Sequence, residues 1–467
     1  MNDPLGQVMA HLNKNHFHRD LAGLLAIESV RDDSRQGPGQ PFGPGPAQAL
    51  AYMLQLADRD GFEATNIDGY AGRIAWGAGE DILGILVHVD VVPATGDWAS
   101  PPFEASIRNG FLYARGAADD KGPAMAAYYA LLGLKEAGFK PKKRIHLIIG
   151  TDEESDWGCM ARYFATEPMP SLGFSPDADF PLINGEKGMV TLNLTAKRTA
   201  TGPLKILQAG ERANMVPDRA EAILIGDQTA HLADRFPAWC QDQGLQGQAD
   251  WVTGDVKLTL QGKSAHGAEP AAGRNAASYL AAFLQAYLGQ GLDPTISFIS
   301  DCLHRQPDGA GLGLAFSDEV MGPLTVNAGI VDIQPATSRV NINIRYPRGL
   351  TAEEIVDRVR AKAAAYGLDL AYDGPAKAVH YIPADDPLVA TLLAVYQELT
   401  GDATAQPLSI GGGTYARMMP KAVAYGPLFP GEDGQLHQAN EHIALASLYK
   451  AIAIYQEAIR RLTEKAD

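Results

Sequence analysis

The apolar residues of this chain follow two rhythms, and the switch between them constrains the fold more than any other feature. In the first third, uninterrupted apolar runs alternate with helical periodicities. "DILGILVHVD" carries Ile82, Leu83, Ile85, Leu86 and Val87 without polar alternation, and "RIHLIIG" does the same. Such runs suit strands covered on both faces. Around them, "AQALAYMLQLADRDG" sets Leu50, Met53, Leu54 and Ala57 on one helical face and stops at Gly61, while "GPAMAAYYALLGLKEAG" opens with Pro123 and closes on Gly138. Helix and strand in turn predict an α/β layer with a mostly parallel, helix-covered sheet.

From about Gly188 the rhythm becomes alternation, in "MVTLNLTA", "AEAILIG", "DVKLTLQGK" and "SRVNINIRYP". In the last of these Val340, Ile342, Ile344 and Tyr346 face one way and Asn341, Asn343 and Arg345 the other, which predicts an antiparallel sheet with one open face. Helical stretches are expected at 274–288 and 352–366. After Pro387 the first rhythm returns and ends in a helix near 443–462. The expectation is a discontinuous α/β domain, 1–185 and 385–467, with an α+β domain inserted at 186–384. A chain of 467 residues has room for two or three domains.

Lys and Arg number 39 against 55 Asp and Glu, a net charge of −16. That sign repels phosphate backbones and anionic membranes, so no nucleic-acid or membrane partner is expected. Cys159, Cys240 and Cys302 are far apart, which argues against a disulfide framework or a cysteine zinc site. Residues 1–20 show no apolar leader core, and the apolar runs fall short of the ~18–20 residues that span a bilayer. The expectation is a soluble cytoplasmic protein.

Histidines and carboxylates fall where the strands end: His88 and Asp90 in "HVDVVP", Asp119 and Asp120 in "GAADDKGP", Glu153 and Glu154 in "TDEESDWG", Asp177 in "SPDADF" and His437 in "GQLHQANEH". Ligands of open α/β sheets bind at the carboxyl ends of strands. The chemistry suggested is a two-metal site, in which a carboxylate bridges because it has two oxygens, and one more carboxylate off the metal takes a proton from water. Each piece also has a plainer reading. His88 could be a structural histidine, Asp119–Asp120 and "TDEES" could be helix caps, Asp177 a turn residue and His437 part of a polar loop. "HFH" (His16, His18) reads as a surface helix, and Cys159 as a buried, inert thiol.

Together "GILVHVDVVP", "YARGAADDKGP", "GTDEES", "DADFPLINGEKG", "GKSAHGAEP", "SIGGGTYAR" and "HQANE" resemble the dizinc metallopeptidase superfamily of carboxypeptidases, aminoacylases, desuccinylases and dipeptidases. The resemblance is greatest to its bacterial dipeptidase V (PepV, Xaa-His dipeptidase) branch, relatives of carnosinase. It implies that the split domain is catalytic and the insertion a lid. It implies two Zn2+, with Mn2+ or Co2+ as substitutes: His88 and Asp177 on one, Glu154 and His437 on the other, Asp119 bridging. Glu153 would be the general base, and Asp90 would fix the tautomer of His88 through its far nitrogen. The Asp119–Asp120 peptide would be cis. In the lid, His266 would contact the oxyanion, and Asn214 and Arg345 would hold the substrate's carboxylate. Gly412, Gly413 and Thr414 would line the pocket. For Arg345 a solvated place on the open sheet face is the alternative.

The implied reaction is zinc-dependent hydrolysis of dipeptides by a metal-bridging hydroxide, in a monomer whose one chain completes its own site. N-acyl-amino-acid deacylase, carboxypeptidase or desuccinylase activity are the alternatives within the superfamily. Outside it stand a magnesium-dependent phosphoryl-transfer enzyme and a non-catalytic metal-binding protein, although no phosphate-cradling Gly-x-x-x-x-Gly-Lys-Ser/Thr loop is present: the Gly-Lys-Ser at 262–264 has Lys257 where that loop needs its first glycine.

Overall fold

The structure is a computed structural model that describes residues 13–198, 202–289 and 292–464. The stretch 1–20 read for a leader is thus described only from Asn13, and its first twelve residues lie outside the described ones. Among the described residues, no helix is long and apolar enough to cross a membrane.

The chain divides into two compact units. The first contains residues up to Gly185, Tyr381–Leu408 and everything from Gly413; the second is Glu186–His380 with Ser409–Gly412. The return from the insertion therefore lies at 380/381 rather than after 384, and a four-residue excursion comes later.

The sheet of the first unit runs in the order Glu63–Ile67, Ala71–Trp76, Arg144–Gly150, Ile82–His88, Leu172–Ser175, Ala422–Ala424. Its four central strands are parallel, from Arg144–Gly150 to Ala422–Ala424, and the flank is antiparallel. Ile82–His88 is buried along its whole length, which is why its apolar run shows no alternation. The helices Pro44–Arg59, Lys121–Glu136 and Leu445–Thr463 turn Leu50, Met53, Tyr128, Leu131, Ile452 and Tyr455 into the core built on this sheet. In register with His88 on the neighbouring strand stands Gly150. A side chain there would collide with the ring of Tyr415, which packs edge-on against the His88 imidazole at 6.2 Å between centroids.

The second unit holds an eight-stranded sheet in the order Gln246–Val252, Asp255–Gln261, Arg219–Leu224, Leu204–Ala209, Thr325–Ile333, Thr337–Tyr346, Gly188–Lys197, Asp369–Tyr372. Every pairing along it is antiparallel. Val340, Ile342 and Ile344 enter its core with Leu280 and Phe283 of the helix Ala276–Leu288 and Ile355 and Val359 of Ala352–Ala364. The second of these helices starts at a capping box, Thr351 accepting from Glu354 N–H at 3.2 Å and Glu354 from Thr351 N–H at 2.9 Å.

The expected open face is not open at the strand Thr337–Tyr346. Asn341, Asn343 and Arg345 are buried. Asn341 Nδ2 donates to Asn193 Oδ1 and Asp373 Oδ2, and Asn343 Nδ2 to Thr191 Oγ1. Arg345 donates through Nε to Asn343 Oδ1 and through Nη1 to the carbonyl of Gly411, both at 2.8 Å. The donors of this polar face are met inside the unit, while Asn341 Oδ1 is buried without a hydrogen-bond partner. The solvated reading of Arg345 is thereby corrected.

His146, on Arg144–Gly150, is fully buried with Nδ1 3.2 Å from the Tyr163 hydroxyl. Burial, helped by the charges of Arg73 and Arg144, lowers its pKa to about 4. The unfolded chain protonates this ring near 6.5, so between those values the unfolded state binds the extra proton and stability falls as pH falls. The linkage is worth about 2 kcal/mol between pH 7 and pH 5. His146→Gln should flatten the fall of the urea midpoint over that range relative to wild type; parallel pH profiles would refute the assignment.

Candidate metal centre

His88 ends the central strand Ile82–His88, buried, with its two ring nitrogens committed in opposite directions. Nδ1 lies 3.0 Å from the backbone carbonyl of Asp90, and Nε2 lies 3.0 Å from Asp119 Oδ1 and 3.9 Å from Asp177 Oδ1. His437 reaches the same carboxylate from a loop where Gln435, His437 and Asn440 all take positive φ. Its Nε2 is 3.0 Å from Asp119 Oδ2 and 3.1 Å from Glu154 Oε1. Asp119 thus offers one oxygen to each imidazole. Two groups of donors have their ligand atoms within 4.8 Å of one another: His88, Glu153 and Asp177, and Asp119, Glu154 and His437. Glu153, which the motif reading keeps off the metal, stands in the His88 group.

The surrounding carboxylates are placed by backbone N–H groups. At the far nitrogen of His88 the Asp90 carboxylate stands with Oδ1 at 3.5 Å, and the carbonyl of the same residue is closer, at 3.0 Å. The carboxylate also accepts from Glu153 N–H at 3.0 Å and Glu154 N–H at 3.1 Å, one on each oxygen. The Trp157 indole donates to the Glu153 carbonyl at 2.6 Å. Asp120 caps no helix through its side chain; its Oδ2 accepts from His88 N–H at 3.0 Å, and the Asp119–Asp120 peptide is cis as the resemblance implies. In "TDEES" only Asp152 takes the helix-start role, accepting from Gly158 N–H at 2.9 Å while paired with Arg31.

The donor set fits a pair of divalent cations. Asp90, Asp119, Asp120, Glu153, Glu154 and Asp177 face only two imidazoles, and like charges in a buried place oppose one another. Burial and the charge of Asp119 push Glu154 up to about 7, and burial with Asp177 holds Glu153 well above the usual range. Against the effect of burial, Asp119 and Glu154 raise His437 to about 11, and Asp119, Asp177 and Asp90 raise His88. The two imidazoles in turn hold Asp119 far below the ordinary range. Apart from Asp119, the acids and imidazoles are shifted in the direction of a buried site where negative charge exceeds positive. The hydrogen bonding agrees: Glu154 Oε1 and Asp120 Oδ1 are buried without a hydrogen-bond partner, although His437 Nε2 is beside the first. One N–H serves Asp119 or Glu154, whereas a cation takes both.

In the second unit the loops of Asn214 and His266 are tied together. Met215 and His266 form a β-bridge, and Gly267 N–H donates to the Asn214 carbonyl at 2.6 Å. Both side chains are exposed. Gly412 belongs to this unit, Gly413 and Thr414 to the first. Thr414 is buried and its hydroxyl accepts from Ala416 N–H at 3.1 Å, capping a short helical turn. Cys159 is buried 2.8 Å from the Tyr415 hydroxyl, with burial pushing its thiol up to about 12, which makes it inert. His18 of "HFH" faces the Tyr449 hydroxyl, and neither histidine joins a metal-type group among the described residues.

Sequence reasoning missed Glu441. It lies in "HQANEH", fully buried, and pairs with buried Arg115 at 2.6 Å. The available signal was a carboxylate four residues beyond His437 and an arginine four before Asp119.

Residues 84–461 match the profile of peptidase family M20/M25/M40. The chain belongs to this family. A relative from Staphylococcus haemolyticus, named "Putative dipeptidase", is 44% identical over 452 residues, 95% of this chain and 96% of its own. Human carnosine dipeptidase 1 shares the fold with a TM-score of 0.58 at 13% identity, covering 99% of each chain. Yeast Dug1p, described as a di-peptidase, gives 0.59 at 12% identity, again over 99% of each chain. The M20 chain is thus a metal-binding peptidase, which removes the phosphoryl-transfer and non-catalytic alternatives.

Asp90→Asn keeps the size of the side chain but turns one N–H acceptor into a donor facing Glu153 or Glu154. Metal affinity or kcat should fall about 10–100-fold while the fold is retained. Wild-type metal content together with wild-type turnover would refute the positioning drawn above.

Proposed function

We propose that this M20 enzyme hydrolyses dipeptides with two zinc ions, for which Mn2+ or Co2+ substitute. The observation that carries the reading is the Asp119 carboxylate with one oxygen at 3.0 Å from each of two imidazoles. Family membership and the names of the relatives support it. Nitrogen donors beside carboxylates favour zinc-type ions over magnesium. His88 and Asp177 would hold one ion, Glu154 and His437 the other, with Asp119 between them.

When bound, such a pair lowers the pKa of a shared water toward ~7 and polarises the scissile carbonyl. Glu153 then takes the proton of the attacking water and gives it to the leaving nitrogen. Its main chain is held on both sides, the N–H by Asp90 and the carbonyl by Trp157. His266 donates to the developing oxyanion, and Asn214 and Arg345 serve the substrate's carboxylate, a group that a guanidinium fork matches. These three roles are supported by the motifs that carry them. The same reading makes the working enzyme a cytoplasmic monomer that needs no partner beyond its peptide.

The deciding experiment is a panel of dipeptides, tripeptides and N-acetyl amino acids, with and without chelator. Dipeptides should be cleaved, chelator should abolish cleavage, and Glu153→Gln should retain metal while losing about 10²–10⁴-fold in kcat. Preference for N-acetyl amino acids would replace the dipeptidase reading with a deacylase one. His266→Ala should lower kcat about 10²–10³-fold with metals intact. An effect confined to KM would remove its oxyanion role.

A further inference from the structure

The strand pairing of Phe111–Tyr113 with His442–Ala444 brings the two segments that carry Asp119 and His437 side by side. The ladder extends by one backbone bond, from Ala114 N–H to the Glu441 carbonyl at 3.2 Å. Beyond that point the chain toward Asp119 has no strand to lean on, and the side chain of Glu441 takes over. Its Oε2 accepts from Arg115 Nη1 at 2.6 Å and Gly116 N–H at 3.2 Å. Its Oε1 accepts from Ala118 N–H at 2.9 Å and Asp119 N–H at 3.2 Å. A carboxylate has about four acceptor positions, and all four are used by one five-residue stretch, 115–119, that ends on the carboxylate shared by both imidazoles. Arg115 is itself buried, with Nη2 donating to the Pro93 carbonyl at 3.3 Å and its guanidinium 5.3 Å from the Trp98 ring centroid. The charge of Glu441 is therefore matched locally, and its strength as an acceptor goes to the loop.

We propose that Glu441, held by Arg115, is the positioning residue for Asp119: it fixes the backbone from which that carboxylate reaches toward His88 and His437, and so sets the spacing of the two cations. The inference rests on the two-cation reading of the site and adds to it a residue that touches neither cation nor substrate. Among the described residues no other side chain binds the Asp119 amide, and substituting Glu441 leaves three N–H groups to find new partners.

Glu441→Gln in the full chain is the test. The amide keeps the shape but turns an N–H2 toward two N–H donors, so the loop must shift. Measured by chelator competition, affinity for the more weakly held cation should fall about 10–100-fold. The visible spectrum of the Co2+-substituted protein should change with it, and kcat should drop while KM for a dipeptide stays within about twofold. A purely structural role would lower the melting temperature of the metal-free protein and leave the affinity and cobalt spectrum of the folded protein as in wild type; that result overturns the inference. Should Glu441→Gln fail to fold, Arg115→Lys decides on the same two readouts, with a smaller loss expected and wild-type values overturning the proposal. Wild-type protein that binds no cations or leaves dipeptides intact would instead overturn the function proposed above, so the two failures are distinct.

Discussion

A carboxylate that gives one oxygen to each of two imidazoles has no freedom left to choose its own place, so something behind it must choose. The whole site follows that logic. Asp90 is held by the N–H groups of Glu153 and Glu154, Asp120 by the N–H of His88, and the loop of Asp119 by the carboxylate of Glu441. Backbone N–H groups suit this task because they bring partial positive charge without a mobile side chain and without neutralising the acids that must serve a cation. The result is a dense group of acids in a buried place, each already aimed, for which a bound metal would supply balancing charge.

Much of this was written in the sequence, and the reasons differ from place to place. The strand Ile82–His88 and the helix Lys121–Glu136 were legible because a continuous apolar run and a helical face depend on local order alone. The acids and histidines were legible because chemistry restricts residue type. What was not legible depends on partners remote in the chain. Asn341, Asn343 and Arg345 read as an exposed face, yet they are buried and their N–H groups find Asn193, Thr191, Asp373 and the carbonyl of Gly411. Asp90 was read at a ring nitrogen of His88, but that its carbonyl would be there as well, at 3.0 Å, is a main-chain feature no residue type announces. Glu441 escaped because three of its four partners are main-chain amides, which carry no residue signature. That Thr414 also begins a helical turn was not legible from its glycine-rich surroundings.

The excursion of Ser409–Gly412 into the second unit has an architectural cost for anyone who would move that unit between enzymes. The insertion is not a cassette with two ends: the polypeptide crosses between the units four times, and the last visit lasts only four residues. Arg345 depends on that visit for the carbonyl of Gly411. A transplant of 186–380 alone would carry a buried guanidinium whose acceptor stayed behind in the donor protein. Grafting must therefore bring two pieces of chain, and exchange of this unit by simple recombination is hindered wherever the short piece does not travel with the long one.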